Sequence, residues 1–268
     1  MLVNKSKLFL LAISASIFLL ILVPAHAFFS EEPKIDETPD IELTVAAASA
    51  LRPAFEAVAV RFQEKTGVKV VLVFSSSGNL ARQISHGAPI DLFASADTGY
   101  VEELIEEGHL LAETKEVYAN GRIVLASNRN FAVEPTCLED LLSEEVDRIA
   151  LANPSYAPYG LAAKEAMVEA GIWESVQDKL IYADTVFQAL QYVQSGNASV
   201  GIIAEAIANV PEVSSVPLQG GLYNPVEHTL AVATAASYPE AAVDLAGFIG
   251  GSEGIAIMEE HGFYNPAP

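Results

Sequence analysis

Ala46-Ala47-Ala48-Ser49 and Phe74-Ser75-Ser76-Ser77-Gly78-Asn79-Leu80-Ala81-Arg82-Gln83 each end an apolar, strand-like run in hydroxyl residues, at the point where an amphipathic helix begins. A helix start carries backbone N–H groups without intrahelical acceptors and a partial positive charge. Two such starts, each with a serine, can hold an oxyanion by hydrogen bonds alone, without lysine or arginine. Singly, Ser49 reads as an ordinary helix cap and Ser75-Ser76-Ser77-Gly78 as an ordinary turn. Their pairing gives the motif weight, because adjacent parallel strands bring both hydroxyl clusters to one edge of a sheet.

Working outward, strand and helix patterns alternate. Ile41 to Val45 reads as a buried strand; Phe55, Val58, Ala59 and Phe62 mark one face of a helix with Pro53 in its first turn and Gly67 past its end. Val68 to Phe74 is the next strand, followed by a helix over 80–86, a strand over 91–95 and a helix over 99–107. A second series runs through strands at 122–126, 149–152, 179–183 and 200–204, with helices over 160–170 and 186–195. An extended run at 229–233 and a helix over 239–249 complete it. This pattern predicts an α/β protein of two lobes, each a mostly parallel sheet with helices on both faces. The expected division is 40–119 plus 227–268 for lobe 1 and 120–226 for lobe 2. Crossings near Tyr118 to Gly121 and Leu222 to Val226 make a two-segment hinge, with a ligand crevice at the carboxyl ends of the strands.

The chain opens with Lys5 and Lys7, runs apolar from Leu8 to Val23 and reaches Ala25-His26-Ala27, which predicts a cleaved signal peptide over residues 1–27. Residues 28–39 read as a flexible leader. With 35 acidic and 14 basic residues the formal charge is −21, and loss of Lys5 and Lys7 makes the mature chain more acidic still. Such a surface repels nucleic acid and anionic membranes, and at long range an anionic ligand too. Binding of an anion must therefore rest on short-range hydrogen bonds. Cys137 is the only cysteine, which excludes an internal disulfide and a thiolate metal cluster; it is expected to be a buried, inert thiol.

The second lobe offers two comparable helix starts. Asn153-Pro154-Ser155-Tyr156-Ala157-Pro158-Tyr159-Gly160 joins a strand to a helix, and Ala183-Asp184-Thr185-Val186 does the same for the next. Four helix starts facing one crevice would make a cage of donors. Arg82 is expected on a solvated helix face, and Asp91 and Asp97 as structural groups. The five histidines lack metal-ligand spacing, and Ser49 and Ser77 have neither an assigned base nor a Gly-x-Ser-x-Gly elbow.

These stretches, with Gly87-Ala88-Pro89-Ile90-Asp91-Leu92-Phe93-Ala94-Ser95-Ala96-Asp97 and Gly160-Leu161-Ala162-Ala163-Lys164-Glu165-Ala166, resemble the molybdate-binding periplasmic proteins of ABC transporters. The resemblance implies a periplasmic binding protein fold that captures molybdate, and tungstate as well, and delivers it to an inner-membrane permease. It further implies a periplasmic, monomeric binding protein rather than an enzyme, with no cofactor, no metal beyond the molybdenum of the ligand, and no nucleic-acid partner. By position it assigns hydroxyl and N–H contacts to Ser49 and Ser77, and backbone N–H contacts to Tyr159 and Val186. Ala204 stands where bacterial members carry a tyrosine hydroxyl, so the phenol of Tyr159 or Tyr156 is a candidate substitute. Glu205 is expected to point away. Ala157 replaces the loop aspartate of archaeal relatives, which favours tetrahedral binding. The alternatives are a binder of another tetrahedral oxyanion such as sulfate, a ligand-sensing module that contacts a receptor, and a secreted serine-dependent hydrolase.

Overall fold

The structure, a computed structural model, describes residues 41–131 and 134–266; the signal peptide and leader expected over 1–39 lie outside the described residues. The first sheet comprises β1 (Glu42–Ala48), β2 (Lys69–Ser75), β3 (Leu92–Ser95), β4 (Glu116–Gly121) and β10 (Val226–Val232), in the order β2-β1-β3-β10-β4. The second holds β5 (Ile123–Asn128), β6 (Ile149–Ala152), β7 (Leu180–Ala183), β8 (Val200–Ala204) and β9 (Val213–Pro217), in the order β7-β6-β8-β5-β9. The helices are α1 (Arg52–Thr66), α2 (Ser77–Ser85), α3 (Thr98–Glu106), α4 (Pro158–Glu169), α5 (Val186–Gln194), α6 (Pro239–Gly250) and α7 (Ser252–Glu260). This is the two-lobed α/β class expected.

The sheets are mixed rather than mostly parallel. In the first, β1 pairs parallel with β2 and β3, whereas β10 is antiparallel to both β3 and β4. In the second, β6 pairs parallel with β7 and β8, whereas β5 is antiparallel to β8 and β9. The reversed strand in each sheet is the one by which the chain has just arrived from the other sheet. Only Arg122 separates β4 from β5, so one extended segment serves both sheets. Two strands, β4 and β9, and helix α7 were absent from the sequence pattern.

Alternation along β1 explains the layers. Leu43, Val45 and Ala47 face a core shared with Phe55, Val58 and Phe62 of α1. Ala46 faces the other side, where Phe93 meets Leu80 and Ile84 of α2 and Val101 and Leu104 of α3. Each large apolar side chain removed from water contributes about 1.5–3 kcal/mol. The α1 face of the first core is continuous with the core of the second sheet. Helix α1 ends where Gly67 adopts φ +76°, the left-handed conformation that stops a helix without strain.

Asp91 fastens the first sheet. Its carboxylate accepts from the Thr44 N–H (2.7 Å) on β1 and from the Ser237 N–H (2.7 Å) ahead of α6, and its own N–H donates to the Thr44 carbonyl (2.8 Å). Asp97 caps α3 by accepting from the Gly99 N–H. Both carboxylates are thus structural. Cys137 is exposed, not buried: the short helical turn Leu138–Leu142 turns Leu138 and Leu141 inward, and the Asp140 carboxylate takes the Thr136 and Cys137 N–H groups.

The two crossing strands meet around a buried imidazole. His228 on β10 packs edge-on to Phe263 (5.0 Å) and Tyr118 (6.2 Å), and its Nε2 lies 3.0 Å from the Tyr159 hydroxyl on α4. Gly121 makes this approach possible, because a Cβ there would overlap the Tyr159 hydroxyl. Burial holds the His228 pKa down at about 3 and pushes the Tyr159 phenol upward.

Two outcomes follow from these anchors. Asp91→Ala removes two hydrogen bonds to a charged acceptor, each about 1.5–3 kcal/mol, and lowers the melting temperature by roughly 10 °C; a shift under about 2 °C in differential scanning calorimetry contradicts the role given to Asp91. For His228, the unfolded chain takes up a proton near pH 6.5 that the folded chain refuses until about pH 3. Stability therefore falls as pH drops through that window, and His228→Gln has a flatter profile of melting temperature against pH there. Parallel profiles for variant and wild type count against it.

Candidate functional site

Ser49 follows β1 directly and opens a short helical turn, Ser49–Leu51, that runs into α1. Ser77 is the first residue of α2, separated from β2 by Ser76 alone, and β1 and β2 pair in register up to Ala48 and Ser75. Parallel pairing therefore sets both serines at one edge of the first sheet. From the second sheet, β6 leads to α4, with Tyr159 in its first turn, and β7 leads to α5, which Val186 opens.

The structure brings these four residues together. Ser49, Ser77, Tyr159 and Val186 line one small cavity with Ala48, Ala50, Ser75, Ser76, Ala96, Ala157 and Pro158. No charged side chain lines it among the described residues. Lobe meets lobe at its wall: the Gly78 N–H donates to the Tyr156 carbonyl (3.0 Å), and the Phe187 N–H to Ser49 Oγ (3.5 Å). A Cβ on Gly78 would sit 2.8 Å from that carbonyl oxygen and 2.6 Å from the Tyr100 hydroxyl, so only glycine permits the approach.

Hydrogen-bond accounting leaves donors unspent. Ser77 Oγ accepts from the Ala96 N–H (2.9 Å), and Ser49 Oγ accepts from Phe187, so each hydroxyl has taken a backbone donor and retains its own proton to give. Ser76 Oγ is buried with no partner. The turn at Ser49 and helices α2 and α4 have no side-chain cap, whereas Asp97 caps α3 and Thr185 caps α5. The N–H groups of Ser77, Tyr159 and Val186 have no protein acceptor among the described residues. A concave, uncharged site rich in N–H and O–H donors suits an anion whose oxygens are acceptors only.

Other expectations resolve individually. Arg82 is exposed and donates to Asn79 (3.1 Å), away from the cavity. Glu205 accepts from the Tyr264 hydroxyl (3.0 Å) and points away as expected. Neither phenol takes the place of the hydroxyl missing at Ala204: Tyr159 bonds to His228, and Tyr156 donates to Asp184 (3.0 Å). Ser76 was passed over in the sequence because a serine before a helix reads as its cap; here its side chain makes no capping bond.

The chain is similar to known proteins over most of its length. Over 225 residues the chain is 31% identical to the molybdate-binding protein ModA of Rhodobacter capsulatus, covering 82% of this chain and 87% of that protein. It is 32% identical over 201 residues to the protein of the same name from Escherichia coli, covering 71% and 77%. The solved periplasmic molybdate-binding protein of Azotobacter vinelandii superposes with a TM-score of 0.79 at 28% identity, over 84% of this chain and all of that one. The bacterial extracellular solute-binding protein family matches residues 43–264, nearly the whole of the described fold, and the chain belongs to that family.

Proposed function

We propose that this chain is a periplasmic solute-binding protein that closes its two lobes on molybdate, and on tungstate, and presents the ion to an ABC transporter permease. The observation that carries the reading is the convergence of Ser49, Ser77, Tyr159 and Val186 on one uncharged cavity. Its support outside the site is the similarity to named molybdate-binding proteins over most of the chain.

In this reading Ser49 and Ser77 each donate an O–H and a backbone N–H, and the N–H groups of Tyr159 and Val186 complete the cage. Each such bond to a charged acceptor contributes about 1.5–3 kcal/mol. The lobes divide close to the expected 40–119 plus 227–268 and 120–226, each bound moved by one or two residues because β4 runs to Gly121 and β10 begins at Val226, with the hinge in the two segments that cross between the sheets. Selectivity against sulfate follows from cavity size, since a rigid cage fitted to the larger tetrahedral dianion holds the smaller one with bonds that are too long. A hydrolytic role is disfavoured because, among the described residues, no histidine, aspartate or glutamate lines the cavity to activate either serine. The protein acts as a monomer, secreted by a signal peptide, and needs no cofactor.

Isothermal titration with sodium molybdate, tungstate, sulfate and phosphate tests the reading. Molybdate and tungstate bind tightly and raise the melting temperature, while sulfate and phosphate do so weakly; equal binding of all four points to a general oxyanion binder. Ser77→Ala weakens molybdate binding by roughly 10- to 100-fold through loss of one hydrogen bond to a charged acceptor. An unchanged affinity in that variant removes Ser77 from the ligand set.

A further inference from the structure

Arg52 occupies an unusual place for the first residue of α1. Its guanidinium carbon lies 4.3 Å from the centre of the Phe74 ring and 4.9 Å from that of Phe187, within the range of a cation–π contact to each. Phe74 belongs to β2 of the first sheet, and Phe187 to the first turn of α5 on the second. The sandwich therefore joins the two lobes. Arg52 Nε is buried without a hydrogen-bond partner, and the ion pair to Glu56 is long at 3.5 Å with both side chains exposed by a third or more. The aromatic faces, not a carboxylate, are its main partners.

Each member of the sandwich is next to a segment that lines the cavity. Phe74 precedes Ser75-Ser76-Ser77, Phe187 follows Val186, and Arg52 is three residues beyond Ser49. Phe187 is also the residue whose N–H reaches Ser49 Oγ across the cleft. The same approach of α5 that places the Val186 N–H on the cavity thus places the Phe187 ring over Arg52. A planar guanidinium suits this position, since it can stack between two rings where an ammonium cannot.

We propose that Arg52 is a positioning residue for anion capture: clamped between Phe74 of one lobe and Phe187 of the other, it holds the cleft shut around the ligand without touching it. The proposal rests on the function read above. It also gives this acidic chain one cation fixed beside its anion site.

The test is titration of the full chain, wild type and variants, with sodium molybdate, alongside melting of the ligand-free proteins. Arg52→Met keeps the aliphatic stem and removes the cation; Phe187→Leu keeps apolar bulk and removes the ring. Each weakens molybdate binding about tenfold, and the double variant is scarcely weaker than either alone, because both remove the same contact. Ligand-free melting temperatures stay within about 2 °C of wild type. Undiminished affinity in Arg52→Met overturns the clamp, as do losses that multiply in the double variant. A melting temperature that falls in step with affinity assigns the sandwich to folding and overturns it too. If the wild type fails to bind molybdate, the function read above falls first, and the clamp with it.

Discussion

Helix starts whose N–H groups have no partner within the protein are the constraint around which this molecule is arranged. Buried donors without acceptors are costly, and folded chains normally remove them with a side-chain cap or a water. Here α3 and α5 carry such caps, but the turn at Ser49 and helices α2 and α4 do not; α6 and α7 are uncapped too, yet the starts at Ser49, α2 and α4 are the ones that face one cavity. The strand order serves that convergence. Pairing of β1 with β2 aligns the first two starts, and pairing of β6 with β7 aligns the starts of α4 and α5 across the cleft. Small residues complete it: Gly78 admits the Tyr156 carbonyl, and Gly160 lets α4 begin against the end of β6, where a Cβ would overlap the Ala152 carbonyl.

An acidic chain that receives an anion must separate long-range from short-range electrostatics. The overall charge of −21 opposes approach, although salt at physiological strength screens it beyond ~8 Å. Within the cavity the balance reverses, since every polar group that lines it is a hydroxyl or an amide. Donors held by helix starts and strand ends need no reorganisation when an anion arrives. The proposed cation–π clamp at Arg52 adds a fixed positive charge next to Ser49 without adding a ligand, and links closure of the cleft to assembly of the cage.

Much of this was legible in the sequence, and the exceptions have physical causes. Ser49, Ser77, Tyr159 and Val186 share one cavity because strand-to-helix transitions are encoded locally, by an apolar run, hydroxyls and a helical period. Strand β4 was missed because Asn120-Gly121 reads as a turn, while its extended form depends on pairing with β10, more than a hundred residues away. Strand β9 is polar, lies at a sheet edge and ends in Pro217, where an edge tolerates a residue that cannot donate. The antiparallel strands β5 and β10 look like their parallel neighbours in composition, so direction was illegible. Arg52 reads as an ordinary charge at a helix start; only the docking of α5 gives it a second ring. The phenols of Tyr156 and Tyr159 went elsewhere because Asp184 and His228 offer partners that the linear chain does not reveal.

The central claim is that neutral backbone and hydroxyl donors, not charged side chains, hold the ion. Amide proton shifts of the isotope-labelled chain, followed by NMR while molybdate is added, address it most directly. The account predicts that the N–H protons of Ser49, Ser77, Tyr159 and Val186 move downfield in slow exchange as each acquires a charged acceptor. Tight binding that leaves these four amides in place, while the arginine and lysine side-chain signals move, would contradict it.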